Sequence, residues 1–309
     1  MYENLLQKRR GTIMLNQKAF TPLEVSRIRK VPQVQAKFLT GFTLIELLVV
    51  ISIIALLMAI LMPALGKARK LVQAAVCSAH LRQWGTVFFM YTGDYDGKFW
   101  TEHNVWSTGV KQGSWMPMLA EIYGNVDEFR LCPSADKLNG PEGGVGTTSC
   151  QWGPGPIMIN HQFGPDASKN YGSYGTNLWI NSVDPPSTMG WRQQPERQWK
   201  KLQSKYAADI PMVGDCTWFG TNPISLNDNS WLNGGAPAPS EDWWERQDPI
   251  NFGQWSWDMA RLTINRHSRG INITFMDGST RKAILNDLWS LKWHKEYERV
   301  YDVEIPWLK

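Results

Sequence analysis

Residues 44–65 read LIELLVVISIIALLMAILMPAL, and this stretch decides the architecture. It contains one charge, Glu46, one serine, Ser52, and one proline, Pro63. As a helix it is roughly 33 Å long, enough to cross the hydrocarbon core of a bilayer. Helices of soluble domains keep a polar stripe; this one has almost none, so a membrane span is expected. Upstream, residues 1–41 hold eight Lys/Arg against two acids, a net of +6, while the other 268 residues carry 24 bases and 26 acids. The formal net charge of +4 therefore belongs to an N-terminal arm and not to a face of the fold, which argues against nucleic acid as a partner. By the positive-inside rule the arm is cytoplasmic and the chain after Pro63 lies outside. An ordinary secretory signal would place a small-residue cleavage site after the apolar centre, but Pro63 interrupts Met62-Pro63-Ala64-Leu65-Gly66.

Glu46 is the anomaly. A carboxylate at the centre of a bilayer costs about 2.5–3.5 kcal/mol on insertion scales, so an intramembrane acid points to function. With the residues before it, it forms Gly41-Phe42-Thr43-Leu44-Ile45-Glu46, set between a basic arm and a long apolar helix. This stretch resembles the processing site of type IV prepilins and of type II secretion pseudopilins. The resemblance implies cleavage by the membrane-embedded prepilin peptidase between Gly41 and Phe42, methylation of the new Phe42 amine, and a mature chain of 268 residues. Pro63 falls where such proteins often carry a helix-kinking proline. It also implies assembly with other pilin-like subunits on an inner-membrane secretion platform, with Glu46 meeting the terminal amine of a neighbour. Unpaired, each of those charges opposes insertion; paired between subunits, they favour assembly. An upstream imitation, Phe20-Thr21-Pro22-Leu23-Glu24, lacks the glycine and is followed by Val25-Ser26-Arg27-Ile28-Arg29-Lys30, which cannot enter lipid. The leader starts at Met1 or at Met14.

Beyond Pro63 the helix becomes amphipathic, with Leu65, Ala68, Val72, Ala75 and Ala79 and then Trp84, Val87, Phe88 and Tyr91 on one stripe. It should end at Gly93 and the turn Asp94-Tyr95-Asp96-Gly97, about 50 residues and about 75 Å in all. The domain expectation is a cleaved leader over 1–41, a transmembrane half-helix over 42–65, an amphipathic half over 66–95 and an extracytoplasmic head over 96–309. At 43% hydrophobic and 19% charged residues the chain is too apolar and too lightly charged to be disordered, so the head is expected to be globular. Its short apolar runs between Gly, Pro and Asn turns predict an antiparallel sheet, hence an α+β, pilin-like fold. The clearest pair is Ile271 to Phe275, the turn Asp277-Gly278, and Ser279 to Leu285. His267, nine residues and Asp277-Gly278 resemble the C-terminal signature of a group of bacterial prepilin-like proteins. Cys77 with His80-Leu81-Arg82-Gln83, Leu131-Cys132-Pro133-Ser134 and Ser173-Tyr174-Gly175-Thr176-Asn177 resemble further pieces of that group. Some 20 Å of strand separates His267 from Asp277, which speaks against a shared metal or dyad and leaves His267 as a polar anchor near the sheet edge.

Cys77, Cys132, Cys150 and Cys216 all follow the span, and an even count in an oxidising compartment permits two disulfides. Cys77 with Cys132 is preferred, tying helix to head. None of the four is spaced like a zinc knuckle, so no metal or other cofactor is expected, and no residue presents itself as a catalytic nucleophile or base. All 17 tryptophans lie at or after Trp84. Most should pack the core, but Trp231, Trp243, Trp244, Trp255 and Trp257 sit in a Trp-rich insertion among Gly, Pro and acids, where exposed rings would suit sugar or a secreted partner. The sequence thus supports a pilin-like subunit of a type II secretion or type IV pilus machine, with a membrane-anchored binding module as the alternative.

Overall fold

The computed structural model describes residues 42–100, 115–124, 126–138, 144–153, 171–182, 194–202, 205–226, 235–241 and 258–308. The leader, Gly41 and the five tryptophans of the insertion lie outside these. The chain divides into two compact units, Met1–Leu56 and Leu57–Lys309. The long helix α1, Leu44–Asp94, contains Pro63 within its run. It stops because Asp96 and Gly97 take left-handed conformations (φ 53° and 75°), letting the Gly97 and Tyr95 amides close on the Thr92 carbonyl at 2.7 and 3.2 Å. The Asp94–Gly97 segment is a helix stop, as expected.

Every α1 residue from Leu44 to Val72 is exposed. Burial begins at Cys77 and follows Cys77, Leu81, Trp84, Gly85, Phe88 and Thr92, steps of three and four along one face. The expected stripe is therefore wrong in its first half: Leu65, Ala68, Val72, Ala75 and Ala79 are exposed, and Cys77 and Leu81 carry the contact instead.

That contact is with a five-stranded sheet. Its strands are β1 (Tyr174–Asn177), β2 (Pro211–Asp215), β3 (Gly220–Thr221), β4 (Gly270–Phe275) and β5 (Thr280–Ile284), ordered β3-β1-β2-β4-β5. Three neighbouring pairs are antiparallel, but β3 pairs parallel to β1, so the sheet is mixed rather than wholly antiparallel. The β4–β5 hairpin forms as expected: Asp277 Oδ1 accepts from the Ser279 amide (2.9 Å) and hydroxyl (2.6 Å), and Gly278 sits at φ 84°.

All six β4 residues are buried. Ile271, Ile273 and Phe275 alternate with Asn272 and Thr274, a pattern that elsewhere would put the polar pair in water. Here α1 covers it. Asn272 Nδ2 donates to the Ala74 carbonyl (3.0 Å) and Thr274 Oγ1 to the Leu81 carbonyl (2.8 Å), so the polar residues fix the helix rather than face solvent. At Gly85 a Cβ would lie 2.8 Å from Thr274 Cγ2, and only glycine allows this approach.

The helix α2 (Trp115–Tyr123) completes an aromatic layer on α1. Trp84 meets Trp115 edge-on at 4.7 Å and Tyr123 at 4.8 Å between centroids. Burying an indole removes about 150–250 Å² from water, roughly 4–6 kcal/mol at 25 cal/mol per Å².

Candidate functional site

Four side chains from four separate elements converge beneath α1. Cys77 comes from α1, Cys132 from the loop after the 3₁₀ turn Asp127–Arg130, Asp215 from the end of β2, and His267 from the turn entering β4. Their ligating atoms all lie within 4.8 Å of one another. Cys77, Cys132 and Asp215 are fully buried and His267 is 4% exposed.

The chain is built to hold them there. Asp215 faces α1, where β4 would otherwise receive a ladder bond, and takes the Asn272 amide on Oδ2 at 2.9 Å. Cys132 sits in a pinned loop. His80 Nδ1 lies 3.0 Å from the Leu131 carbonyl, which also accepts from Tyr174 Oη, and Gln73 Nε2 donates to the Pro133 carbonyl at 2.9 Å. His267 precedes two non-glycine residues in the left-handed region, Ser268 (φ 52°) and Arg269 (φ 66°), a strained turn beside the imidazole that meets Cys132 and Asp215.

Within the cluster, Cys77 Sγ is 3.5 Å from both Asp215 oxygens, Cys132 Sγ is 3.4 Å from His267 Nε2, and that same Nε2 is 3.1 Å from Asp215 Oδ2. Arg266, its side chain fully buried, lies 3.3 Å from Asp215 Oδ1. Its guanidinium also donates to the carbonyls of Ser173, Thr147 and Cys216.

Burial pushes the Cys77 thiol well up, reinforced by its hydrogen bond to Cys132 and the Asp215 charge. For Cys132 burial acts upward too, but the hydrogen bond with Cys77 and then the contacts with His267 and Arg266 prevail, pulling it down to about 6. Burial opposes the His267 charge, yet the hydrogen bond and charge of Asp215 raise it to about 10. Asp215 is held low despite its burial by His267, Arg266 and the Asn272 amide. These shifts favour the charged forms of Asp215 and His267 in a place closed to water. The cluster is not arranged as a hydrolytic triad: thiol and carboxylate share one imidazole nitrogen instead of standing on opposite ones.

At the other end of α1, Thr43 is the residue before the first helical turn. Glu46 Oε2 accepts from the Thr43 amide (2.8 Å) and hydroxyl (2.7 Å), while the Thr43 hydroxyl accepts from the Glu46 amide at 3.3 Å. This reciprocal arrangement satisfies amides that a helix start leaves unpaired. The helix it opens is long and apolar enough to cross a membrane, and none of its apolar window is buried. Residues 40–62 match the prokaryotic N-terminal methylation motif. The chain carries a prepilin-type N-terminus. No curated protein and no solved structure matches the chain significantly.

Of the residues the sequence singled out, Phe42 and Glu46 head this prepilin-type helix, with Phe42 exposed. Gly41, Trp231, Trp243, Trp244, Trp255 and Trp257 lie outside the described residues, and Trp218, at their margin, is buried. The expected Cys77–Cys132 disulfide is not formed, and all four cysteines are free. The two thiols are neighbours as anticipated, but each is turned to a charged partner, Asp215 for Cys77 and His267 for Cys132. Cys150 is half-buried and Cys216 fully buried. His267 is no edge anchor, since β4 is an inner strand; it pairs with Asp215, while Asp277 serves the turn as expected. The expectation of no metal rests on the lack of short spacings among the four cysteines. Here the separations are 138 residues from Cys77 to Asp215 and 135 from Cys132 to His267.

Proposed function

We propose that this protein is a pilin-like subunit, a pseudopilin of a type II secretion or type IV pilus machine, that assembles through α1. The observation that supports this best is the methylation motif at 40–62 on a helix whose described residues bury nothing before position 73. An apolar surface of that length needs lipid or neighbouring helices around it. Prepilin peptidase cuts after Gly41 and methylates Phe42. The basic arm stays in the cytoplasm until that cut, and the head stands outside the inner membrane. The subunit's work is structural and uses no catalytic residue.

Mass spectrometry of the membrane-associated protein tests this. The expected mature N-terminus is N-methylated Phe42, with the Gly41→Val chain retained at full length. An intact leader in cells with active prepilin peptidase would refute it.

A further inference from the structure

We propose that Cys77, Cys132, Asp215 and His267 coordinate one divalent ion of the zinc class, forming a structural site that ties α1 to the sheet. Zinc takes sulfur at about 2.3 Å and nitrogen or oxygen at about 2.0–2.2 Å in a tetrahedron, which sets its ligand atoms roughly 3.3–3.8 Å apart. Two of the distances across the cluster, 3.5 Å from Cys77 to Asp215 and 3.4 Å from Cys132 to His267, fall in that range; the 3.1 Å from His267 to Asp215 is slightly shorter, and all four ligand atoms lie within 4.8 Å, close enough for small side-chain shifts to close on one ion. Two sulfurs, one imidazole nitrogen and one carboxylate oxygen are a donor set suited to zinc and poorly suited to magnesium or calcium.

His267 Nε2 faces Cys132 and Asp215 at once, and a single N–H cannot point along both directions. A lone pair directed at an ion between them resolves the geometry. Charge agrees as well: two thiolates and a carboxylate carry three negative charges, balanced by a divalent ion and the Arg266 guanidinium. The burial of all four ligands makes the site closed, as in structural rather than catalytic zinc centres. A bound ion also explains why two adjacent thiols in a head placed outside the cytoplasm stay unbridged, because both are engaged as thiolates. Motif pieces scattered through the sequence, around Cys77, Leu131-Cys132-Pro133, Ser173-Tyr174 and His267, all contribute to this one point or to its immediate support.

The test uses the full chain, solubilised in detergent and purified without chelator. Elemental analysis should find about one zinc per chain. Cobalt(II) exchanged into the protein should show the absorption of a tetrahedral site with thiolate-to-metal charge transfer. Cys132→Ser and His267→Gln should lower bound metal by more than the ~10–100-fold typical of supporting residues, whereas Cys150→Ser should leave it unchanged. If the ligand variants fail to fold, the metal content and cobalt spectrum of the unaltered chain still decide. A mapped Cys77–Cys132 disulfide would overturn the proposal. So would four alkylatable thiols with no zinc retained after zinc is supplied, or a cobalt spectrum without the thiolate bands.

Discussion

Trp84, Trp115, Trp152, Trp179, Trp289 and Trp293, the largest fully buried side chains among the described residues, each donate an indole N–H to a backbone carbonyl, from 2.6 Å for Trp289 on Gly235 to 3.0 Å for Trp152 on Tyr174. Many of those carbonyls belong to irregular segments, where no sheet ladder satisfies them. Tryptophan is abundant here because it fills volume and supplies a donor together. Trp289→Phe keeps most of the volume but orphans the Gly235 carbonyl, and chemical denaturation should show a loss of about 1–3 kcal/mol. Arg266→Leu leaves Asp215 charged and buried; a loss of about 3–5 kcal/mol is expected, on the order of 10 °C in thermal midpoint. Asp215 was visible in principle, as an acid inside the apolar run Pro211-Met212-Val213-Gly214-Asp215-Cys216. Thr43-x-x-Glu46 was visible too, as a capping box at the start of the apolar run. That role separates two effects at Glu46. Glu46→Gln preserves the cap and removes the charge, whereas Glu46→Leu removes both. If the carboxylate pairs with a neighbour's amine during assembly, both variants should be processed and both should crosslink poorly through cysteines placed at Lys67 and Lys70. Undiminished ladders from Glu46→Gln would confine Glu46 to capping its own helix.

Among the elements, α1 and the β4–β5 hairpin were legible because each is specified locally, by an unbroken apolar run and by Asp-Gly turn chemistry. The parallel pairing of β3 with β1 was not, since a two-residue strand carries no periodicity. Nor was the cover over β4, whose alternation reads as half-exposed until a helix with its own backbone acceptors is placed on the polar side. The close approach there gives a paired test. Gly85→Ala drives a Cβ into Thr274 and should destabilise by about 1–3 kcal/mol. Gly93→Ala, with nothing within 4 Å of the new methyl, should stabilise by about 0.5–1 kcal/mol. Equal effects of the two in thermal denaturation would mean that α1 does not touch the sheet at Gly85.

For the molecule as a whole, every buried residue of α1 lies at or after Cys77, so the head does not depend on the apolar half of the helix. A chain beginning at Lys67 should be a soluble monomer with a cooperative thermal transition, seen by size exclusion and circular dichroism; aggregation would show that the head needs its membrane segment. The convergence of Cys77, Cys132, Asp215 and His267 was hidden from the sequence because it exists only after the sheet is assembled. The Asn272 and Thr274 side chains, together with Gln73 on the Pro133 carbonyl, lie along the flank of α1 rather than at its tip. A pull or push along the helix axis thus loads these bonds side by side in shear, and they must fail together rather than peel one after another. A load along that stretch of the helix would reach β4 through Asn272 and Thr274, the strand residues bonded to its carbonyls.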